Sequence, residues 1–138
     1  MKKLLTMLLT VMLFCSMSVS VMAASVGVST NKSAVDAGDT VTVTVKMNET
    51  LTGSFRNVQG QLKYDTSAWT YVSHTMGGSY SSYMSSDMPN KSFFTFTNTD
   101  FTKEGFKEVP QGTIVTVVFK ANSDLSEKHL STSFTLDM

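Results

Sequence analysis

Cysteine is nearly absent from this chain of 138 residues, which contains only Cys15. The first 23 residues have the pattern of an export signal, described below, so the mature protein would contain no cysteine at all. Disulfides, thiolate metal ligands and a cysteine nucleophile are therefore excluded from the mature protein. An exported domain of this size without disulfides has to be stabilised by its hydrophobic core alone.

A surplus of charge is missing too, because 11 Lys and Arg residues balance 11 Asp and Glu residues. Removal of the signal takes away Lys2 and Lys3, which leaves nine basic against eleven acidic residues and a net charge of −2. Without a basic excess to neutralise a phosphate backbone, nucleic-acid binding is disfavoured. Hydrophobic residues make up 41% of the chain, which is typical of one globular domain rather than a disordered tail.

Catalytic and metal-binding motifs are also missing. Neither His74 nor His129 has a second histidine three or four residues away, so the spacing typical of zinc ligands is absent. We expect His74 to lie on the surface at the end of a strand. There is no Gly-x-Ser-x-Gly motif, calcium loop or phosphate loop, although serine is abundant enough to leave a Ser-His-Asp site open. The acids stand singly in turn segments, where they cap turns: Asp36, Asp39, Asp65, Asp87 and Asp100. We therefore expect no enzyme activity, no metal and no cofactor.

The export signal at residues 1–23 is the clearest local feature of the sequence. A short basic start precedes an apolar run from Leu4 to Phe14, and small residues lead to a cleavage site after Ala23. The alternative is a membrane anchor, which needs about 20 strongly apolar residues, and residues 15–20 are too rich in serine. The pattern predicts a cleaved signal peptide and a mature domain at 24–138 that is extracellular or on the cell surface.

The mature chain has the two-residue period of β-strands. Valine and threonine alternate between Thr40 and Met47, which predicts a strand with one buried and one solvated face. No segment has a long helical period, and seven short strands spaced near ten residues predict an all-β sandwich or jelly roll. The predicted strands lie at residues 25–30, 40–47, 55–64, 69–74, 93–97, 113–120 and 131–136.

The same alternation predicts which side chains form the core. We expect facing sheets to bury Val43, Val45, Val58, Leu62, Trp69, Val117 and Phe119. We assign Trp69 to the core rather than to a sugar-stacking platform. The serine-rich loop 76–90 carries Tyr80 and Tyr83, which are better placed to be exposed, although anchoring the loop is the simpler role for them.

If Val58 and Leu62 face inward, their polar neighbours face outward together. These neighbours are three amides and one amine: Asn57, Gln59, Gln61 and Lys63. Such a row offers no base near neutral pH, so it is a poor catalytic site. It suits hydrogen bonding to a partner, and the candidates are a protein-binding module and a carbohydrate-binding or adhesion module.

Four stretches, in order and at suitable spacing, resemble a cohesin domain, the receptor module of cellulosome scaffoldins. Residues 37–43 are similar to the family's Gly-Asp-x-Val-x-Val opening. Residues 58–69 resemble the strand that ends in Tyr-Asp-Pro-x-x-Leu, with Thr66 in place of Pro and Trp69 in place of Leu. Residues 112–124 resemble the family's strand that begins with Gly and ends in Phe-Lys, together with the connector after it. Residues 132–136 resemble the start of the strand that follows in the family.

The resemblance implies a nine-stranded jelly-roll sandwich, related in fold to family 2 and 3 carbohydrate-binding modules. It also implies a non-catalytic receptor for a dockerin module, with calcium on the dockerin, in extracellular polysaccharide degradation. The family's recognition pair, an Asn and an Asp two residues apart, corresponds to Asn57 and Gln59, so Gln59 lacks the charge. The family continues to a final strand that pairs with the first, so we expect either a fragment or a sandwich with residues 25–30 uncovered.

Overall fold

The computed structural model describes residues 26–78, 80–82, 93–99 and 105–137, and these form ten strands and one short helix. The predicted signal at 1–23 and Tyr83 lie outside the described residues. The strands are β1 (Val26–Thr30), β2 (Thr40–Met47), β3 (Leu51–Phe55), β4 (Asn57–Tyr64), β5 (Trp69–Met76), β6 (Ser81–Ser82), β7 (Phe93–Thr99), β8 (Phe106–Val109), β9 (Gly112–Ala121) and β10 (Phe134–Asp137). The helix, α1, comprises Glu127–Thr132.

Two four-stranded antiparallel sheets enclose the core. Their strand orders are β1-β2-β9-β5 and β10-β4-β7-β6, and β3 pairs with β8 in a separate two-stranded sheet. The predicted all-β sandwich is therefore confirmed. Among the described strands, β1 pairs only with β2 and is an edge of its sheet.

The alternation in β2 and β9 places their apolar residues on one inner surface. Val43 lies opposite Val117 and Val45 opposite Val115, and all four are fully buried. The threonines between the β2 valines are half-buried on the other side. Pairing of β-branched residues on a pleated surface is favourable, so these two strands form the stable centre of their sheet.

An aromatic cluster joins the two sheets. The ring of Phe119 on β9 lies 4.9 Å from the ring of Phe134 on β10, and Trp69 lies 5.0 Å from Phe134. Only 1% of Trp69 is exposed, so the prediction that it belongs to the core is confirmed. The other predicted core residues are also fully buried, except that Val58, near the start of β4, is half-buried against the core.

The expectation that His74 lies on the surface at a strand end is wrong. β5 continues to Met76, and His74 is half-buried with its ring 4.8 Å from that of Phe94. Its Nδ1 is 2.5 Å from the Tyr71 hydroxyl. The reason is a β-bulge between Tyr71 and Ser73, which adds one residue to β5 and changes which side chains face inward. Val72, within the bulge, is 50% exposed.

Three of the strands are not among the seven that the sequence predicts. β3 precedes a break at Arg56, so the strand predicted at 55–64 begins at Asn57 instead. β8 falls between the predicted strands 93–97 and 113–120, and β6 falls inside the loop predicted at 76–90. β3 and β8 pair with each other through Leu51 and Val109. The two segments are far apart in the chain, and neither has a sequence pattern that indicates the pairing.

Candidate functional site

The candidate site is the solvent side of β4, the strand that carries the four predicted polar residues. Leu62 is fully buried on the opposite side, and Asn57, Gln59 and Lys63 are exposed while Gln61 is half-buried. The four side chains therefore face away from the core, as the parity of β4 predicts. We call this surface the β4 face; it also includes the neighbouring outward residues Thr95, Thr97, Thr135 and Asp137.

One end of the β4 face is organised by a hydrogen bond between two strands. The hydroxyl of Thr97 on β7 donates to Oδ1 of Asn57 on β4 at 2.9 Å. Although Thr97 lies on the outward side, only 5% of it is exposed, and Thr95 is 8% exposed. The Asn57 side chain is therefore hydrogen-bonded to a nearly buried threonine of the neighbouring strand.

The other end of the β4 face is held by an ion pair. Nζ of Lys63 donates to Oδ2 of Asp137 on β10 at 2.8 Å. The hydrogen bond from Lys63, followed by the attraction of its charge, lowers the pKa of Asp137 below its ordinary value of 3.8. Because both side chains are about half exposed or more, this pair contributes little to stability.

The chemistry of the β4 face is therefore that of a neutral hydrogen-bonding surface. Its one positive and one negative charge are paired, and the remaining outward groups are amides and hydroxyls. A shallow depression lined by Gln59, Gly60, Gln61 and Asp137 lies near its middle. Such a surface can donate and accept hydrogen bonds over a broad contact, as protein interfaces do.

Tyr80, an aromatic candidate for binding, is buried and not exposed. Tyr80 is 8% exposed with its ring 6.3 Å from that of Phe96, so it anchors its segment and does not present a ring to solvent. Burial raises the pKa of Tyr80. Among the described residues, Val72 is the one large hydrophobic residue whose side chain is exposed. The described surface thus offers no row of aromatic rings for sugar stacking.

The acidic residues act locally within turns or connections. Oδ1 of Asp65 accepts from the amide and the hydroxyl of Ser67, and these hydrogen bonds lower its pKa. Asp124 accepts from the amide of Ala37 at 2.6 Å. Histidine and acidic side chains in the described segments form no group of three that could hold a metal ion. Over the same segments, no helix has the length and apolar composition that crossing a membrane requires.

Sequence reasoning missed the contribution of the neighbouring strands to the site. Thr95 and Thr97 alternate with Phe94 and Phe96, so the period-2 pattern does signal that both threonines face outward. The pairing of β7 and β10 with β4, which brings these hydroxyls and Asp137 beside the predicted row, has no signal in the sequence.

Comparison with protein families matches residues 25–138 to the Cohesin domain, a match that includes every described strand. This chain belongs to the cohesin family. The resemblance seen in the sequence is thereby confirmed. A search of curated proteins finds no match.

Several solved cohesin structures share the fold of this cohesin domain. The CaDoc0917–CaCohA2 complex at pH 5.5 aligns with a TM-score of 0.55 and 21% identity, over 82% of each chain. The seventh ScaB type I cohesin of Pseudobacteroides cellulosolvens aligns with a TM-score of 0.53 and 18% identity, over 81% of this chain and 72% of that one. The sixth scaffoldin B cohesin of Acetivibrio cellulolyticus, in complex with the Cel5 dockerin, aligns with a TM-score of 0.51 and 17% identity, over 74% of each chain.

Proposed function

We propose that this cohesin domain is a non-catalytic module that binds a dockerin module of a partner protein, and that the β4 face is the docking surface. Family membership supports the dockerin as the partner, since similar structures include cohesin–dockerin complexes. The observation that carries the choice of surface is the outward amide row of β4. Asn57 and Gln59 are both exposed on this strand, and the sequence resemblance assigns recognition to the same two positions.

The neutral, hydrogen-bonding character of the β4 face supports a protein partner. The surface consists of paired strands backed by a rigid core, so its backbone can meet a partner with little rearrangement. Its amides both donate and accept, which suits recognition through several hydrogen bonds at defined spacing. Asn57, Gln59, Gln61 and Lys63 are the residues we assign to the interface.

We further propose that the protein works outside the cell or on its surface, after removal of residues 1–23. The basic start, apolar run and cleavage site of that segment support export. In this proposal the dockerin carries calcium and belongs to an enzyme of polysaccharide degradation. Association with the membrane would then end when the signal is cleaved.

The test is calorimetric titration of the mature protein, residues 24–138, with a panel of type I and type II dockerin modules in calcium buffer. For a dockerin that binds, we expect Asn57→Ala and Gln59→Ala each to weaken affinity by about tenfold, because truncation leaves a partner group unsatisfied. Thr42→Ala, on the outer face of the other sheet, is the control and should bind like wild type. If both β4 variants also bind like wild type, the interface lies elsewhere, and the segment 76–90 is the next candidate.

A carbohydrate-binding or adhesion module is the second class, because exposed amides also hydrogen-bond to sugar hydroxyls. The described surface lacks the stacked aromatic rings that such modules would use, and this favours the dockerin. Affinity electrophoresis in gels containing soluble cellulose derivatives or xylan separates the two classes. Retardation of the wild type, together with no binding to any dockerin in the panel, would establish the carbohydrate function instead.

A further inference from the structure

Asn57 lies at the start of its strand and is paired with a neighbouring strand. It is the first residue of β4 and follows the break at Arg56. In the register of β4 and β7, Asn57 lies opposite Thr99 and Gln59 lies opposite Thr97. Thr97 is therefore the diagonal neighbour of Asn57, at a separation that side chains of this size can bridge.

Thr97 is a rigid hydrogen-bonding partner for that side chain. It lies in β7 between β4 and β6, where it pairs with Gln59 on one side and Ser81 on the other. It is 5% exposed, and its branched Cβ restricts the side chain to few rotamers. The 2.9 Å hydrogen bond therefore connects the first residue of β4 to a fixed point at the middle of the sheet.

Strand geometry and burial alone do not require a hydroxyl at position 97. Valine has almost the same shape and is at least as favourable in a strand, so burial at this site would be satisfied without a polar group. Thr95 provides the comparison, since it lies on the same side of β7 with similar burial. Its hydroxyl makes no hydrogen bond to the residues that the structure describes, whereas that of Thr97 bonds to Asn57.

We infer that Thr97 is a positioning residue of the docking surface, which fixes the orientation of the Asn57 amide before the partner binds. This inference rests on the proposed dockerin function. Thr97 is too buried to offer a broad contact to a partner, so its effect passes through Asn57. A side chain that is already ordered loses less rotamer freedom on association, which strengthens binding without adding a contact.

The first part of the test uses the free protein. Side-chain amide signals of Asn57 are assigned in ¹⁵N-correlated NMR spectra of the mature wild type and three variants: Thr97→Val, Thr97→Ser and Thr95→Val. We expect Thr97→Val to shift the Asn57 amide signals. Thr97→Ser, which keeps the hydroxyl, and Thr95→Val, the matched control, should leave them close to wild type.

The second part measures affinity for the dockerin of the panel that the wild type binds most tightly. We expect Thr97→Val to weaken binding by about fivefold, within the range for one neutral hydrogen bond, and Thr97→Ser, which keeps the hydroxyl, to bind like wild type. In the Asn57→Ala background, Thr97→Val should cause no further loss, because the two residues act as a unit.

The outcomes separate this inference from the proposed function. Unchanged Asn57 signals and unchanged affinity in Thr97→Val would overturn the positioning role. So would an affinity loss that persists in the Asn57→Ala background, since Thr97 would then act independently of Asn57. If the wild type binds no dockerin, the proposed function fails. The NMR comparison then decides alone whether Thr97 orients Asn57: shifted signals support this role and unshifted signals overturn it.

Discussion

The ring of Tyr64, at the end of β4, lies 4.6 Å from the ring of Phe119 at the centre of the core. The strand that carries the proposed docking surface is thus in direct contact with the aromatic cluster that joins the two sheets. Phe119 also packs against Phe134 and Tyr71, so it connects β9 with strands of both sheets. The orientation of β4 depends on this cluster.

Phe119→Ala should therefore lower the free energy of unfolding by about 3–5 kcal/mol, because it removes a fully buried ring and leaves a cavity. A loss of this size is a large share of the usual 5–15 kcal/mol. Urea unfolding followed by tryptophan fluorescence measures it. Val72→Ala, at an exposed position, should change stability by no more than about 0.5 kcal/mol. A loss below about 1 kcal/mol for Phe119→Ala would contradict the central packing role.

The Lys63–Asp137 pair predicts a pH dependence of definite sign. Because the folded-state pKa of Asp137 is below 3.8, the pair favours folding above that pH. The contribution is lost as pH falls through the lowered folded-state value. Carboxyl ¹³C NMR titration should give Asp137 a pKa below 3.8 in the wild type, and a higher value in Lys63→Gln. An Asp137 titration that is the same in both proteins would show that the pair does not form in solution.

The neutrality of the β4 face predicts how dockerin binding responds to salt. With Lys63 and Asp137 paired, the surface exerts little net electrostatic attraction for salt to screen. We expect the dissociation constant to change by less than about threefold between 0.05 and 0.5 M NaCl. Lys63→Gln leaves Asp137 unpaired and should make the binding of a charged dockerin more sensitive to salt. A tenfold change in the wild type would indicate that other charged groups form the interface.

If the pattern at residues 1–23 is a cleaved signal, as we propose, the mature N-terminus is Ala24 or Ser25. N-terminal sequencing of the protein secreted by a bacterial host that exports it checks this. Leu8→Arg interrupts the apolar run and should keep the protein inside the cell with its signal uncleaved. Secreted protein that still begins at Met1 would disprove cleavage.

Strands with strong alternation could be predicted from the sequence, and weakly patterned strands could not. The valines of β2 and β9 each signal a buried face within a single segment, so their positions required no knowledge of the partner strand. β3 and β8 have short, mixed sequences, and their strand conformation depends on pairing between Leu51 and Val109, which are far apart in the chain. The alternation of residues within one segment cannot predict such long-range pairing.

The same distinction applies to the site. The outward parity of Asn57 and Gln59 follows from the buried side chain of Leu62, so the amide row was predictable. The half-buried position of His74 was not, because it depends on the bulge after Tyr71. The Thr97–Asn57 hydrogen bond also required the register of β4 and β7, which only the folded structure reveals.

The two sides of β4 have separate roles, so the proposed interface can change in sequence without changing the core. Gly60, Leu62 and Tyr64 are buried, while the residues that alternate with them form the proposed interface. Substitutions on one side of the strand therefore leave the packing on the other side largely intact. A library randomised at positions 57, 59, 61 and 63 should yield mostly folded proteins. Partner choice can thus be altered by selection from such a library, or during evolution, without redesign of the scaffold.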